Sequence, residues 1–182
     1  MLLVRGKKPW ELLLMRRPGG ADFAPGAYVF PGGVVHEEDS KWGDEIAAAA
    51  VRELVAGGTS FSEALRSTGL EPALDRLVLL TRWVTPSLLR RRYDARFYLA
   101  RLPASQSVRV QTDEVTDWLW ITAERALTEE SITLVYATRK VLESVARDEV
   151  ATGLFARVRR LKSVPVVEPR IVQTDSGWEI VR

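Results

Sequence analysis

Short apolar runs separated by polar, glycine or proline residues dominate the first part of the chain. The runs at 2–4 and 10–15 flank residues 5–9, where glycine and proline favour a turn, so the pattern predicts a β-hairpin. Residues 27–30 form a further short extended segment after a loop that is rich in glycine and proline. The first predicted elements are therefore strands.

A helical pattern follows at residues 44–55. Asp44 is a suitable N-cap, and the alanines at 47–50 have the highest helix propensity. Val51 and Leu54 lie three residues apart on one face, which suits packing on a sheet. Glycines at 57 and 58 predict the end of this helix, and a second short helix is predicted over 61–67.

The rest of the chain alternates strands with helices. One further strand is predicted from the apolar runs at 77–80 and 83–84, and others are predicted at 92–102 and 118–121. Helices are predicted at 123–127, 132–146 and 150–161, of which 132–146 is the longest. A late extended pair is predicted between 164–167 and 178–181, around a turn at 175–177. This order is typical of a mixed α/β sandwich.

Size and composition narrow the function classes only in part. A length of 182 residues predicts a single domain over 1–182, with the elements after about residue 128 packed on it. The absence of cysteine excludes disulfides, thiolate metal sites and a cysteine nucleophile. No apolar run approaches the roughly 18 residues that span a bilayer, so we expect a cytoplasmic protein with no membrane partner.

A net charge of +2 gives little information about partners. Arginine clusters at 90–92 and 157–160 fit either an anionic ligand or an ordinary solvated surface. Binding to nucleic acid would rest on these clusters alone, so nucleic acid is the least supported partner.

The segment that best indicates a functional site begins with Phe30-Pro31-Gly32-Gly33. Acidic residues follow at 37–39, and Arg52-Glu53-Leu54 follows on the predicted helix. This arrangement resembles the start of the Nudix box, the metal-binding signature of hydrolases that act on nucleoside diphosphates linked to another group. In the family, two more glutamates follow three and four residues after the first, and this spacing places all three on one helix face. Carboxylate oxygens suit Mg²⁺, which lowers the pKa of an attacking water.

The chain departs from the box in three ways. Ala56 and Gly57 occupy the positions of the second and third glutamates. Twelve residues, 40–51, separate Asp39 from Arg52, where the family pattern has seven. The stretch 55–59 is also shorter than in relatives. Either the lineage lost the acid-bearing turn and is catalytically impaired, or the sequence joins two segments between which further residues belong.

Stretches outside the box resemble the Nudix subgroup of peroxisomal coenzyme A diphosphatases. They lie at 12–17, 23–33, 82–86 and 91–100. The resemblance implies a Nudix fold, which is an α/β/α sandwich with a mixed β-sheet, and Mg²⁺- or Mn²⁺-dependent hydrolysis of coenzyme A or a similar nucleotide. The coenzyme A signature is only half met, because Met15, Pro18 and Asp22 depart from it. A homodimer is left open.

The resemblance also implies roles for individual residues. The metal ligands would be Glu53, Asp39 and Glu114. The catalytic residues would be Glu53, Arg52, which orients the carboxylates, and Glu114, which precedes a tryptophan-bearing strand. The substrate would contact Gly32, Gly33, Arg17, Arg91 and Arg92.

Each of these residues also has a structural interpretation. The arginines could be ordinary surface residues, and Glu114 could be a solvated loop glutamate. His36, the single histidine, is interpreted as a turn or packing residue rather than a catalyst. The alternative function is a non-catalytic nucleotide-binding or interaction module that has kept the fold.

Overall fold

The structure is a computed structural model that describes residues 1–37, 39, 74–89, 92–104, 115–174 and 177–181. The strands are β1 (Leu2–Gly6), β2 (Trp10–Arg16), β3 (Tyr28–Val29), β4 (Val78–Val84), β5 (Asp94–Arg101), β6 (Asp117–Ile121), β7 (Val166–Val167), β8 (Arg170–Thr174) and β9 (Gly177–Val181). The helices are α1 (Ala123–Thr128), α2 (Tyr136–Val145) and α3 (Ala151–Arg159), and a 3-10 helix spans Leu74–Arg76. The helices predicted at 44–55 and 61–67 lie outside the described residues.

Seven strands form one mixed sheet around β2. Leu12 pairs with both Val4 of β1 and Ile121 of β6, whereas Met15 pairs with both β3 and β6. Because β6 pairs with one edge of β2 from Leu12 to Arg16, β1 and β3 share the other edge. β5 adds to β1 in parallel, β4 pairs with β5 in the antiparallel sense, and β7 pairs with β4 in parallel. The predicted mixed sheet is confirmed.

Each face of the sheet carries its own apolar cluster. Leu12 and Leu14 belong to a cluster that includes side chains of α2 and α3, such as Leu142 and Leu154. Leu13 belongs to a second cluster with Leu3 and Tyr98. Successive strand residues point to opposite faces, and all three leucines of β2 are fully buried, so both faces are covered. This two-sided core is what an α/β/α sandwich requires.

Most predicted elements within the described residues are confirmed to within two residues at each end. The runs predicted at 77–80 and 83–84 form the single strand β4. Within the described ranges, every helix is too short or too polar to span a bilayer.

The helix predicted over 132–146 begins later, at Tyr136. The backbone N–H of Tyr28 donates to the Thr133 carbonyl at 2.8 Å, and Leu134 forms a parallel bridge with Tyr28. These contacts hold residues 132–135 extended beside β3. The apolar residues in this stretch fit the helical pattern of the sequence, but they form an extended segment instead.

The predicted pairing between 164–167 and 178–181 is wrong. β9 pairs with β8, whose last residue Thr174 lies opposite Gly177. Val166 and Val167 instead pair with the edge of β4 in the parallel sense. β8 and β9 follow one another along the chain and pair together, whereas the earlier segment pairs at the outer edge of the main sheet.

The two-sided core generates a prediction for stability. Leu12→Ala should lower the free energy of unfolding by about 3 kcal/mol, because it leaves a cavity beneath the helices. Leu88→Ala is the matched control, since Leu88 is 71% exposed, and it should cost less than about 0.5 kcal/mol. Urea unfolding of the two variants measures the difference. Equal losses would contradict this assignment of the core.

Candidate functional site

The end of β2 gathers three segments of the chain. Arg16 pairs with Tyr28 of β3 on one edge and with Asp117 of β6 on the other. The pairing continues one residue further on each side. Arg17 N donates to the Ala27 carbonyl at 3.0 Å, and the Arg16 carbonyl accepts from the backbone N–H of the residue before Asp117 at 3.1 Å. The loops that leave the sheet here therefore start from fixed backbone positions.

The Pro31-Gly32-Gly33 turn lies just beyond β3. The Met1 backbone nitrogen donates a short hydrogen bond to the carbonyl of Pro31, which is buried, whereas both glycines are exposed. Gly32 does not adopt a left-handed conformation, and a Cβ there would meet only the Met1 nitrogen, at an ordinary 3.7 Å. Local geometry therefore does not require glycine at 32, and the exposed backbone leaves room for a ligand.

A polar contact that the sequence analysis missed crosses β2. The Tyr28 hydroxyl donates to Asp117 Oδ2 at 2.6 Å, and Asp117 Oδ1 accepts from the Trp118 N–H at 2.8 Å. Residues that pair directly across strands share a face, so the tyrosine ring passes over Arg16 to reach the carboxylate. Tyr28 is buried, whereas Asp117 is exposed. Only the strand register reveals this pair.

Burial and the neighbouring carboxylate both act on the Tyr28 phenol. Burial, then the hydrogen bond to Asp117 and its negative charge, raise the pKa of Tyr28 to about 12, and the Arg16 charge opposes the shift. The phenol therefore stays protonated and remains a hydrogen-bond donor at neutral pH.

Asp39, one of the predicted metal ligands, has a local role in the structure. It is fully buried, and its Oδ2 accepts from the His36 N–H at 2.8 Å. Asp39 N donates back to the His36 carbonyl at 3.0 Å, which closes a turn of the kind that aspartate favours. His36 therefore lies in a turn, in agreement with its interpretation as a turn or packing residue. The metal-binding role of Asp39 stays a prediction.

Arg17 and Arg92, two of the residues predicted to contact the substrate, each donate a hydrogen bond to a loop carbonyl. Arg17 Nε donates to the Phe23 carbonyl at 2.8 Å. Arg92 Nε donates to the Thr85 carbonyl at 3.2 Å, and its Nη2 lies 3.4 Å from Glu168 Oε1. Phosphate binding by either arginine stays a prediction.

Aromatic contacts and an ion pair fix the neighbouring loops. The rings of Phe23 and Tyr93 lie 6.2 Å apart and join the loop after β2 to the loop before β5. Arg82 holds Asp94 through two hydrogen bonds of 2.7 and 2.6 Å. That hydrogen bonding lowers the pKa of Asp94. The start of β5 and the end of β4 are thus tied together at this end of the sheet.

Four predicted site residues, Glu53, Arg52, Glu114 and Arg91, lie outside the described residues. Among the residues that are described, no group of three or more acids and histidines could hold a metal ion. Asp39 is the one predicted ligand within these ranges, so the metal site as a whole stays a prediction.

The chain is similar to known proteins in both sequence and structure. No protein-family model matches the chain. A curated protein of Caenorhabditis elegans, named "Putative nudix hydrolase 7", is 27% identical over 153 residues, and the match covers 70% of this chain and 52% of that protein. The chain thus spans about half the length of this curated relative.

Solved structures resemble the chain over most of its length. A NUDIX hydrolase from Alicyclobacillus acidocaldarius matches with a TM-score of 0.68 and 24% identity, covering 83% of this chain and 91% of that one. The NUDIX domain of Shewanella oneidensis NrtR, solved with ADP ribose, matches with a TM-score of 0.55 and 18% identity, covering 79% and 81%. These likenesses show that the chain has the Nudix fold, and in sequence the chain is similar to the C. elegans relative.

The raised pKa of Tyr28 predicts how stability changes at alkaline pH. The folded state prefers the neutral phenol, so its contribution is complete below about pH 10, the ordinary tyrosine pKa, and is lost as the pH rises to about 12. Over that range the wild type should lose about 2 kcal/mol more than Tyr28→Phe, since each pKa unit corresponds to about 1.4 kcal/mol.

Urea unfolding of both proteins between about pH 9 and about pH 12 measures this difference, in which the other titrating groups cancel. Tyr136→Phe is the control, because Tyr136 contacts Trp83 and Lys140 through its ring. Parallel curves for wild type and Tyr28→Phe would rule out the expected stabilisation of the neutral phenol.

Proposed function

We propose that the chain hydrolyses the diphosphate linkage of a nucleotide-containing small molecule, with Mg²⁺ or Mn²⁺ as cofactor. The observation that carries the proposal is the exposed Gly32-Gly33 turn of a Nudix fold, followed in sequence by Arg52 and Glu53. The name of the C. elegans relative supports hydrolysis. Coenzyme A is the first candidate substrate because of the subgroup resemblance, and ADP-ribose is the second because the NrtR domain binds it.

In the proposed reaction, some residues bind the phosphate and others bind the metal ion. The exposed backbone at Gly32 and Gly33 lets a phosphate approach closely, and arginine guanidinium groups such as those of Arg17 and Arg92 neutralise its charge. Glu53 would hold the divalent ion with the other predicted acids. When bound, that ion would stabilise charge on the phosphate oxygens and lower the pKa of the attacking water.

The alternative is a non-catalytic module that binds a nucleotide without turning it over. It rests on Ala56 and Gly57, which stand where the family has glutamates. The relatives do not favour it, because the curated match is named a hydrolase. It predicts that ligand binds and that no product is released.

The test is product release from coenzyme A and from ADP-ribose by the full chain, with and without Mg²⁺. We expect metal-dependent cleavage, and Glu53→Gln should lower kcat by about 10²-fold or more, because it removes a ligand charge. Glu124→Gln is the matched control, since Glu124 is an exposed residue of α1 and should leave kcat unchanged. Binding without cleavage in the wild type would instead establish the non-catalytic module.

The intact mass of the same preparation distinguishes the two explanations of the incomplete box. A mass above 20.4 kDa, with peptides that map between Leu54 and Ser60, would supply the residues that the box lacks. A mass equal to 20.4 kDa would mean that Ala56 and Gly57 directly follow this helix segment, and ligand binding would then be measured before turnover.

A further inference from the structure

The Tyr28–Asp117 hydrogen bond joins two strands that lie on opposite edges of β2. Arg16 forms backbone pairs with both partners, so β2 separates β3 from β6 at this position. The tyrosine side chain spans the width of the central strand, and its hydroxyl lies 2.6 Å from Asp117 Oδ2. The bond therefore links two segments that have no direct backbone contact with each other here.

Each of these strands leads to a predicted part of the site. Tyr28 begins the strand that continues through Phe30 and Pro31 into the exposed Gly32-Gly33 turn. Asp117 begins β6, and Glu114, the predicted ligand or base, precedes it by three residues in the sequence. Loss of the hydrogen bond would thus be transmitted through β3 to the Gly32-Gly33 turn, which has a proposed role.

Tyr28 is held firmly enough to transmit such a change. It is 7% exposed, and its backbone N–H donates to the Thr133 carbonyl at 2.8 Å. Asp117 is also held at both oxygens, since Oδ1 accepts from the Trp118 N–H. Hydrogen bonds to a charged acceptor are among the stronger ones in proteins.

We propose that Tyr28 and Asp117 are positioning residues, whose hydrogen bond holds β3, and with it the Gly32-Gly33 turn, in register with the start of β6. They act through these segments rather than by contact with the reacting atoms. The inference rests on the proposed function for the identity of the substrate, but the positioning of the turn can be measured without turnover.

The first test is the KM for coenzyme A or ADP-ribose, whichever the wild type cleaves. Tyr28→Phe removes only the hydroxyl and should raise KM severalfold, up to the factor of about five that corresponds to one hydrogen bond. A loss of folded protein would lower the apparent kcat and leave KM unchanged, so KM separates positioning from stability. Tyr136→Phe removes a phenolic hydroxyl from α2 and should leave both constants unchanged.

The second test asks whether the two residues act through one bond. Asp117→Ala should raise KM at least as much as Tyr28→Phe, because it also removes the acceptor of the Trp118 N–H. In the double variant, Tyr28→Phe should add nothing further, since the shared interaction is already gone. Additive effects of the two substitutions would overturn the proposal.

The third test does not depend on activity. Hydrogen exchange of peptides that cover residues 29–37 should become faster in Tyr28→Phe and not in Tyr136→Phe, at a temperature where both remain folded. Faster exchange without turnover by the wild type would support positioning and reject the proposed function. Unchanged exchange in these peptides would overturn the positioning role, whatever the activity.

Discussion

Burial of β2 on both faces is the constraint on which the rest of the structure depends. Its three consecutive leucines, residues 12–14, are fully buried, so apolar layers must cover the sheet on each side. A strand buried in this way must also satisfy its backbone groups on both edges, because unpaired buried N–H and C=O groups are costly. β6 meets that requirement on one edge, and β1 followed by β3 meets it on the other.

The candidate site lies where this burial ends. Arg16, the last residue of β2, is exposed. At this end of the sheet, polar contacts rather than apolar packing hold the adjoining loops in place. The hydrogen bond between Tyr28 and Asp117 connects β3 and β6, which lie on either side of β2. Arg17 anchors the loop after β2, and Arg82 anchors the start of β5. A rigid sheet thus ends in exposed loops fixed by directional bonds, an arrangement suited to binding a charged ligand.

The hydrophobic pattern predicted most of the described fold, because the alternation of apolar residues follows directly from which face is buried. It failed at residues 132–135, where apolar side chains continue the pattern of a helix but the backbone pairs beside Tyr28. It also failed for Val166 and Val167, because the choice of sheet edge depends on tertiary contacts. Of the predicted site residues, Arg17 directly follows β2, Gly32 lies three residues after β3, and Arg92 lies two residues before β5. The Tyr28–Asp117 pair depends on strand register, which a sequence does not display.

We propose that a nucleotide with a diphosphate linkage binds at this end of the sheet, against the Gly32-Gly33 turn. The most direct measurement is the NMR titration of backbone amides with ADP-ribose and Mg²⁺, under conditions where cleavage is slow. We expect the largest shifts at Gly32, Gly33, Arg17 and Arg92. Shifts confined to β8 and β9, or to the outer surfaces of α2 and α3, would contradict it.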